Sequence, residues 1–159
     1  MSQPFILGEH RRVLDERYRV SLPAELADLA TSSGQDCILA KERLGALSLW
    51  NAADWQGKLD EGVRLVQDKM QTGRLAGRIE DVQMLGRLLS TRHTVVRLGG
   101  RGRLSIPESF REFLGVDPGG ELLVVGAALC VEVWRPDAWF AYIEGKMPEF
   151  RQLFDNLSG

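Results

Sequence analysis

The residues best equipped to do chemistry are four arginines in two short runs, Arg17-Tyr18-Arg19 and Arg101-Gly102-Arg103. Within each run the arginines are two apart, the spacing that puts side chains on one side of an extended chain. A guanidinium is a rigid fork of donors that suits phosphate oxygens, and it can also read O6 and N7 of guanine in a major groove. The two runs are copies. Shifted by 84 positions without gaps, residues 14–55 fall on residues 98–139. Arg17, Arg19, Ser21 and Pro23 then meet Arg101, Arg103, Ser105 and Pro107, while Trp50 meets Trp134 and Trp55 meets Trp139. Two anchors held in one register indicate a tandem repeat of a small module that carries an arginine turn. A single such turn could equally pair its arginines with nearby acids or leave them solvated. Its repetition points instead to an anionic partner.

Other chemistry is poorly provided for. His10 and His93 are the only histidines, and no cysteine or carboxylate cluster accompanies them at ligand spacing. Gly99-Gly100-Arg101-Gly102-Arg103 could cradle a phosphate, but no nucleotide-binding glycine motif or nucleophile elbow is present. Asp15 and Glu16 are adjacent carboxylates that the second copy lacks. No catalytic centre, metal, cofactor or small-molecule substrate is therefore expected. Cys37 and Cys130 are not repeat-equivalent and read as buried thiols of a reducing compartment rather than a disulfide.

The net charge of −2 conceals segregation: Arg87 to Pro107 holds five arginines and no acid, whereas Glu108 to the end holds nine acids against four bases. Four arginines in the first 19 residues and no long apolar core argue against a secretory signal. The longest apolar run, residues 122–131, is half a bilayer span, so a soluble cytoplasmic protein with no membrane partner is expected.

Each copy must position its turn with the same elements. Phe5–Leu14 and Thr94–Leu98 read as extended, followed by the turns and by short strands Arg19–Leu22 and Arg103–Ile106. Pro23 and Pro107 sit where a helix can begin without losing a hydrogen bond, and those helices should end near Gly34 and Gly115. Cys37–Lys41 with Ala46–Trp50, and Glu121–Val125 with Cys130–Trp134, read as paired strands. Leu47 and Leu49, like Val131 and Val133, alternate with polar Ser48 and Glu132. Asn51 and Pro136 open further helices. Between the copies, Leu59, Val63, Val66 and Met70, then Leu75, Ile79, Val82 and Leu85 or Leu89, keep helical spacing, with Gly73 and Gly77 breaking the stripe. A matching helix runs from Asp137 to about Leu157. Such stripes pack on the β-modules or serve a subunit contact. The tryptophans are expected to close the core, with Trp50 and Trp134 largely buried.

Leu14-Asp15-x-x-x-Arg19-x-x-Leu22-Pro23, preceded by Gly8-Glu9-His10, resembles the Asp-x-x-x-Arg signature of the MraZ family, itself two tandem AbrB-type modules. Gly126 with Val131-Glu132-Val133-Trp134 and Trp139 fits the close of the second module, so the resemblance covers nearly the whole chain. It implies a β-rich α+β fold: a pseudo-twofold double-split β-barrel with peripheral helices. The implied division is residues 5–55, an inserted helical segment 56–92, a second module 93–139 and a C-terminal helix 140–159. It also implies a bacterial transcriptional regulator of the division and cell-wall gene cluster, nucleoid-associated. Such a regulator is a homo-oligomer larger than a dimer, ring-shaped, contacting short direct repeats in double-stranded DNA through Asp15, Arg17, Arg19, Arg101 and Arg103. The opposing class is an antitoxin-like interaction module that keeps the fold without binding DNA. Three departures stand out: Gly99 replaces the second aspartate, Tyr18 replaces a glycine, and Leu26-Ala27 replaces an arginine that Arg111 keeps. If aspartate fixes the first turn, glycines must hold the second. Tyr18 would be strained at positive φ, which suggests another turn type there.

Overall fold

The structure is a computed structural model that describes residues 5–32 and 34–159. In chain order the elements are β1 (Glu9–Val13), β2 (Arg19–Ser21), α1 (Ala24–Ala30), β3 (Asp36–Arg43), β4 (Ala46–Asn51), α2 (Ala52–Gln71), α3 (Ile79–Thr91), β5 (His93–Arg97), β6 (Arg103–Ser105), α4 (Glu108–Leu114), β7 (Glu121–Gly126), β8 (Val131–Trp134), α5 (Pro136–Lys146) and α6 (Phe150–Ser158). The fold is α+β and sheet-rich. Six strands form one sheet in the order β1-β7-β8-β4-β3-β5, and β2 pairs with β6 in a separate two-stranded ribbon. The sheet is open at β1 and β5, not a closed barrel.

The topology repeats as the sequence does. Exchanging each strand for its equivalent in the other copy reverses the sheet order and leaves it unchanged. At the middle, Ser48 of β4 pairs with Glu132 of β8, and in the ribbon Val20 pairs with Leu104. Both pairs are 84 residues apart, so an approximate twofold relation runs through sheet and ribbon alike.

Alternation decides which face each strand buries. Cys37, Leu39, Leu47, Leu49, Leu122, Val124, Val131 and Val133 turn to one side, where they pack with Val20 and Leu104 of the ribbon and with Leu26, Phe110 and Leu114 of α1 and α4. The opposite face carries Ala46, Leu123, Val125 and Trp134, covered by Ala138, Trp139 and Tyr142 of α5. Central strands buried on both faces read as continuous apolar runs, which explains Leu122 to Val125. Gly45, in the β3–β4 turn, lets α5 approach. Its φ is +86°, and a methyl group there would stand 2.6 Å from Cβ of Ala138.

Several local details differ from the sequence expectation. Pro23 and Pro107 hold extended backbone one position before their helices, acting as N-caps rather than first-turn residues. Helix α4 ends on left-handed Gly115, but α1 stops at Thr31, short of Gly34. The Thr31 hydroxyl donates back to the Ala27 carbonyl and ends the helix without a glycine. The C-terminal helix is broken by a 3₁₀ turn at Met147–Glu149, where Pro148 cannot donate an amide to the helix. Asn51 caps α2, its Oδ1 accepting from the amides of Ala53 and Asp54. Trp134 is 2% exposed, but Trp50 is only half-buried.

Candidate nucleic-acid interface

The ribbon gathers the arginine turns of both copies on one surface. Its register sets Arg19 against Ser105 and Ser21 against Arg103, with Val20 and Leu104 between them. Val20 and Leu104 are wholly buried, so the alternation turns Arg19, Ser21, Arg103 and Ser105 outward together. The main chain ties each turn to the other copy: the Ile106 amide donates to the Tyr18 carbonyl, and the Leu22 amide to that of Gly102. A shallow depression of about 510 Å³ lies there, lined by Arg19, Gly99, Gly100, Arg101, Arg103 and Ser105.

The two turns are held differently. In the first, Asp15 Oδ1 accepts from the amides of Arg17 and Arg19 at 2.8 and 2.9 Å, and its Oδ2 accepts from Arg19 Nε at 2.9 Å. The backbone hydrogen bond from Arg19, with those of Arg17 and the Arg19 side chain, holds the Asp15 carboxyl below its ordinary pKa against the opposing effect of desolvation. Asp15 thus stays charged and fixes the turn, while the fork of Arg19 keeps its terminal nitrogens for another acceptor. Both turns are closed by an equivalent backbone bond, from the Asp15 amide to the Arg19 carbonyl at 3.0 Å and from the Gly99 amide to the Arg103 carbonyl at 2.8 Å. The second has no carboxylate at Gly99 and instead passes through two left-handed residues, Arg101 and Gly102.

The two turns differ in type: Arg17 is not left-handed where its counterpart Arg101 is, yet Tyr18 keeps the left-handed backbone of its own position. It takes φ 57°, as its counterpart Gly102 takes φ 68°. The strain expected of a bulky residue in this region is offset by Arg111, whose guanidinium sits 4.0 Å from the Tyr18 ring centre while its Nε donates to the Ile106 carbonyl. Arg101 also has positive φ, 62°.

Of the residues expected from sequence, Arg19, Arg101 and Arg103 line the depression together. Asp15 acts through Arg19. Arg17 is exposed but outside the lining: strand alternation begins at Arg19, so the two-residue spacing does not relate Arg17 to it. Among the described residues, Arg17, Arg101 and Arg103 form no ion pair. Two contributors went unrecognised in the sequence. Ser105 lines the depression, and Arg12 of β1 donates from Nε to the Ser21 carbonyl at 3.0 Å, adding a cation beside the ribbon. The shift by 84 places Arg12 on Val96, so a search by repetition passes over it.

Titratable groups elsewhere do not converge on a second site. Burial pushes the Cys37 thiol up to about 11 and the Cys130 thiol up to about 12, as for inert core thiols. Among the described residues, no group of three or more histidines, cysteines or carboxylates could hold a metal ion, and no helix is long and apolar enough to cross a membrane.

Fold and site together define a repeated, sheet-rich α+β protein with a cationic ribbon built jointly by its two halves. The chain is similar to the MraZ family. The family model described as "MraZ protein, putative antitoxin-like" matches residues 91–157. Proteins named transcriptional regulator MraZ are similar along most of the chain. That of Syntrophomonas wolfei is 24% identical over 151 residues, 95% of both chains. That of Clostridium beijerinckii is 26% identical over 152 residues, 96% of both. That of Azotobacter vinelandii is 26% identical over 154 residues, 96% of this chain and 93% of the relative. These relatives are named regulators, not enzymes.

Proposed function

We propose that this protein is a cytoplasmic, sequence-specific DNA-binding transcriptional regulator whose β2–β6 ribbon is the surface turned to the duplex. The observation that carries the reading is the meeting of Arg19, Arg101 and Arg103, from both repeats, on one outward surface of a chain with net charge −2. Concentrated positive charge in a slightly acidic protein favours one polyanion-facing side over general stickiness. The names of the relatives support regulation of transcription as the outcome. The finer reading follows the resemblance: two AbrB-type modules, 5–55 and 93–139, paired in a double-split arrangement, with helical segments at 56–92 and 140–159. The assembly is a ring-shaped homo-oligomer, larger than a dimer and nucleoid-associated, on short direct repeats before the division and cell-wall genes.

A second reading rests on the words "putative antitoxin-like" in the family description and on the pairing of Arg19 with Asp15. Under it, the fold serves protein interaction alone. Electrophoretic shift of duplex DNA from the region upstream of the protein's own gene separates the two. The regulator gives a shift that outlasts scrambled competitor and collapses with salt. No shift at micromolar protein and low salt overturns the DNA-binding reading.

A further inference from the structure

The first turn supplies its own anion and the second does not. The Arg17 and Arg19 amides and Arg19 Nε all donate to the Asp15 carboxylate, at 2.8, 2.9 and 2.9 Å. Led by the Arg19 amide, these donors hold that carboxyl below its ordinary pKa against desolvation, so the arrangement favours a negative charge. The second copy repeats the donors without the acceptor: Arg101 and Arg103 stand for Arg17 and Arg19, but Gly99 stands for Asp15. Neither Arg101 nor Arg103 forms an ion pair among the described residues.

The space beside Gly99 is open. A methyl group there would come no closer than 3.7 Å to any atom beyond its chain neighbours, and one at Gly100 would meet nothing within 4 Å. The depression of about 510 Å³ reaches both glycines, and Arg19, Arg101, Arg103 and Ser105 complete its lining. Arg101 and Gly102 are left-handed in succession, and the successive amides of such turns suit an anion. Three guanidiniums and a hydroxyl offer more donors than the two oxygens of a carboxylate can engage, and guanidinium forks match phosphate oxygens. We infer that the second turn binds a phosphate group, one of whose oxygens serves Arg101 and Arg103 as the Asp15 carboxylate serves Arg17 and Arg19. Bound there, it orients the Arg103 fork as Asp15 orients that of Arg19. The group is a diester of a duplex backbone or the phosphate of a small compound, recognised by the same donors. The duplex source rests on the proposed function, and the site itself does not.

Gly99 has φ −76° and ψ −178°, extended backbone that any residue adopts, so the position can be substituted without strain. Full-length protein is titrated calorimetrically with inorganic phosphate, ionic strength being held with sodium chloride and folding checked by circular dichroism. Wild type and Gly99→Ala should bind saturably. Gly99→Asn gives the turn a neutral oxygen of its own, as asparagine does in such turns, and should weaken phosphate at least about tenfold. Duplex binding by the same variants identifies the source. A salt slope lower in Gly99→Asn than in Gly99→Ala, by about 1 per engaged subunit, assigns the site to backbone phosphate. An unchanged slope with phosphate binding lost assigns it to small phosphate compounds. Wild type that takes up no phosphate, together with an unchanged slope in Gly99→Asn, would overturn the inference. So would phosphate affinity that Gly99→Asn leaves intact, because the anion then sits elsewhere. Phosphate binding lost in Gly99→Asn, by a protein that shifts no duplex, would leave the site standing and remove the DNA-binding reading.

Discussion

The guanidinium of Arg111 lies over the ring of Tyr18, joining the first arginine turn to the first helix of the second repeat. The twofold partner of that contact is a void-filling one: Gly102 faces Ala27, whose Cβ would stand 3.0 Å from a methyl group added at position 102. Positions 18 and 102 are repeat-equivalent, as are 27 and 111. The large aromatic and the arginine meet on one side of the axis, and the two small residues meet on the other. Each turn thus rests on the other copy's helix, and the departures at Tyr18 and Ala27 belong to two matched contacts.

A coupling follows from this. Tyr18→Gly removes the cost of a non-glycine left-handed residue, about 1–2 kcal/mol, but also removes a cation–π contact of about 0.5–1 kcal/mol and the packing of the ring. In wild type the change should be close to neutral. In an Arg111→Ala background, where the contact is already lost, the same change should stabilise by about 1 kcal/mol. Chemical denaturation of the four proteins of this cycle measures the difference. Equal effects in both backgrounds would mean that Arg111 does not support the turn. Gly102→Ala, which meets Ala27 and the Leu22 carbonyl at φ +68°, should cost about 1–3 kcal/mol.

The tryptophans give an asymmetric prediction. Trp134 packs against Tyr142 with ring centres 5.2 Å apart, whereas the equivalent Trp50 has Lys58 over its ring at 4.7 Å. Lys58 and Tyr142 are themselves repeat-equivalent. The aromatic neighbour helps close its side to water, while the lysine keeps a solvated head beside the ring. Trp134→Ala should cost about 3–5 kcal/mol, the usual range for a buried tryptophan, and Trp50→Ala clearly less. Thermal melts of the two variants test this, and equal losses would show that half-burial of Trp50 understates its packing.

Much of this architecture was legible because it rests on period and repetition. The alternation Leu47-Ser48-Leu49 and Val131-Glu132-Val133 locates the central strands, and the shift by 84 fixes their equivalence. What escaped depends on contacts between copies that no local pattern encodes. Tyr18 was expected to be strained because Arg111, far along the chain, was not known to stack on it. Trp50 was expected to be buried like Trp134 because identical residues do not reveal different covers. Arg12 was missed since its role comes from β1 lying beside β2. Repetition also grouped Arg17 with Arg19 on one side of a strand, although the left-handed residue between them breaks the strand geometry that such grouping assumes.

Glu132 yields a pH effect of defined sign. Burial, the largest influence, raises its carboxyl pKa; nearby Glu42 adds to this, while the hydrogen bond from Trp134 Nε1 and the charge of Arg43 oppose it. The folded state therefore holds this proton to higher pH than the unfolded chain, whose ordinary value is 4.5. Stability from this group is fully present below that value and falls as pH rises through the raised folded value. Glu132→Gln keeps an oxygen acceptor for Trp134 and removes the buried charge. It should raise the melting temperature at pH 8, with the gain shrinking toward pH 4. A gain that persists unchanged at pH 4 would mean that ionisation of Glu132 is not its source.

Under the proposed function, the arginines of the two turns can be ranked from their surroundings. Arg19 is oriented by Asp15, and Arg103 lies across the ribbon from it, so these two should carry base discrimination, worth about 1–3 kcal/mol for a bidentate guanine contact. Arg19→Ala should abolish preference for the specific duplex and Arg103→Ala should weaken it, both leaving melting temperature and assembly size intact. Arg17 and Arg101 sit in the turns themselves and should hold phosphate. Their loss should weaken all duplexes evenly and lower the salt slope by about 1 per site, multiplied over the engaged subunits. Asp15→Ala provides a control for orientation: it leaves every arginine in place but frees the Arg17 and Arg19 amides and the Arg19 fork. Specificity should fall while the salt slope stays near that of wild type. Because Asp15 is held below its ordinary pKa, its turn persists at neutral pH and is lost only as pH falls below the usual carboxylate range, so binding between pH 6 and 8 should not vary through this group. The second turn, held by Gly99 rather than by an aspartate, should contribute less: Arg103→Ala should leave more residual preference than Arg19→Ala. Wild-type affinity and preference in Arg19→Ala/Arg103→Ala would remove the ribbon from the DNA interface and bring the interaction-module reading forward.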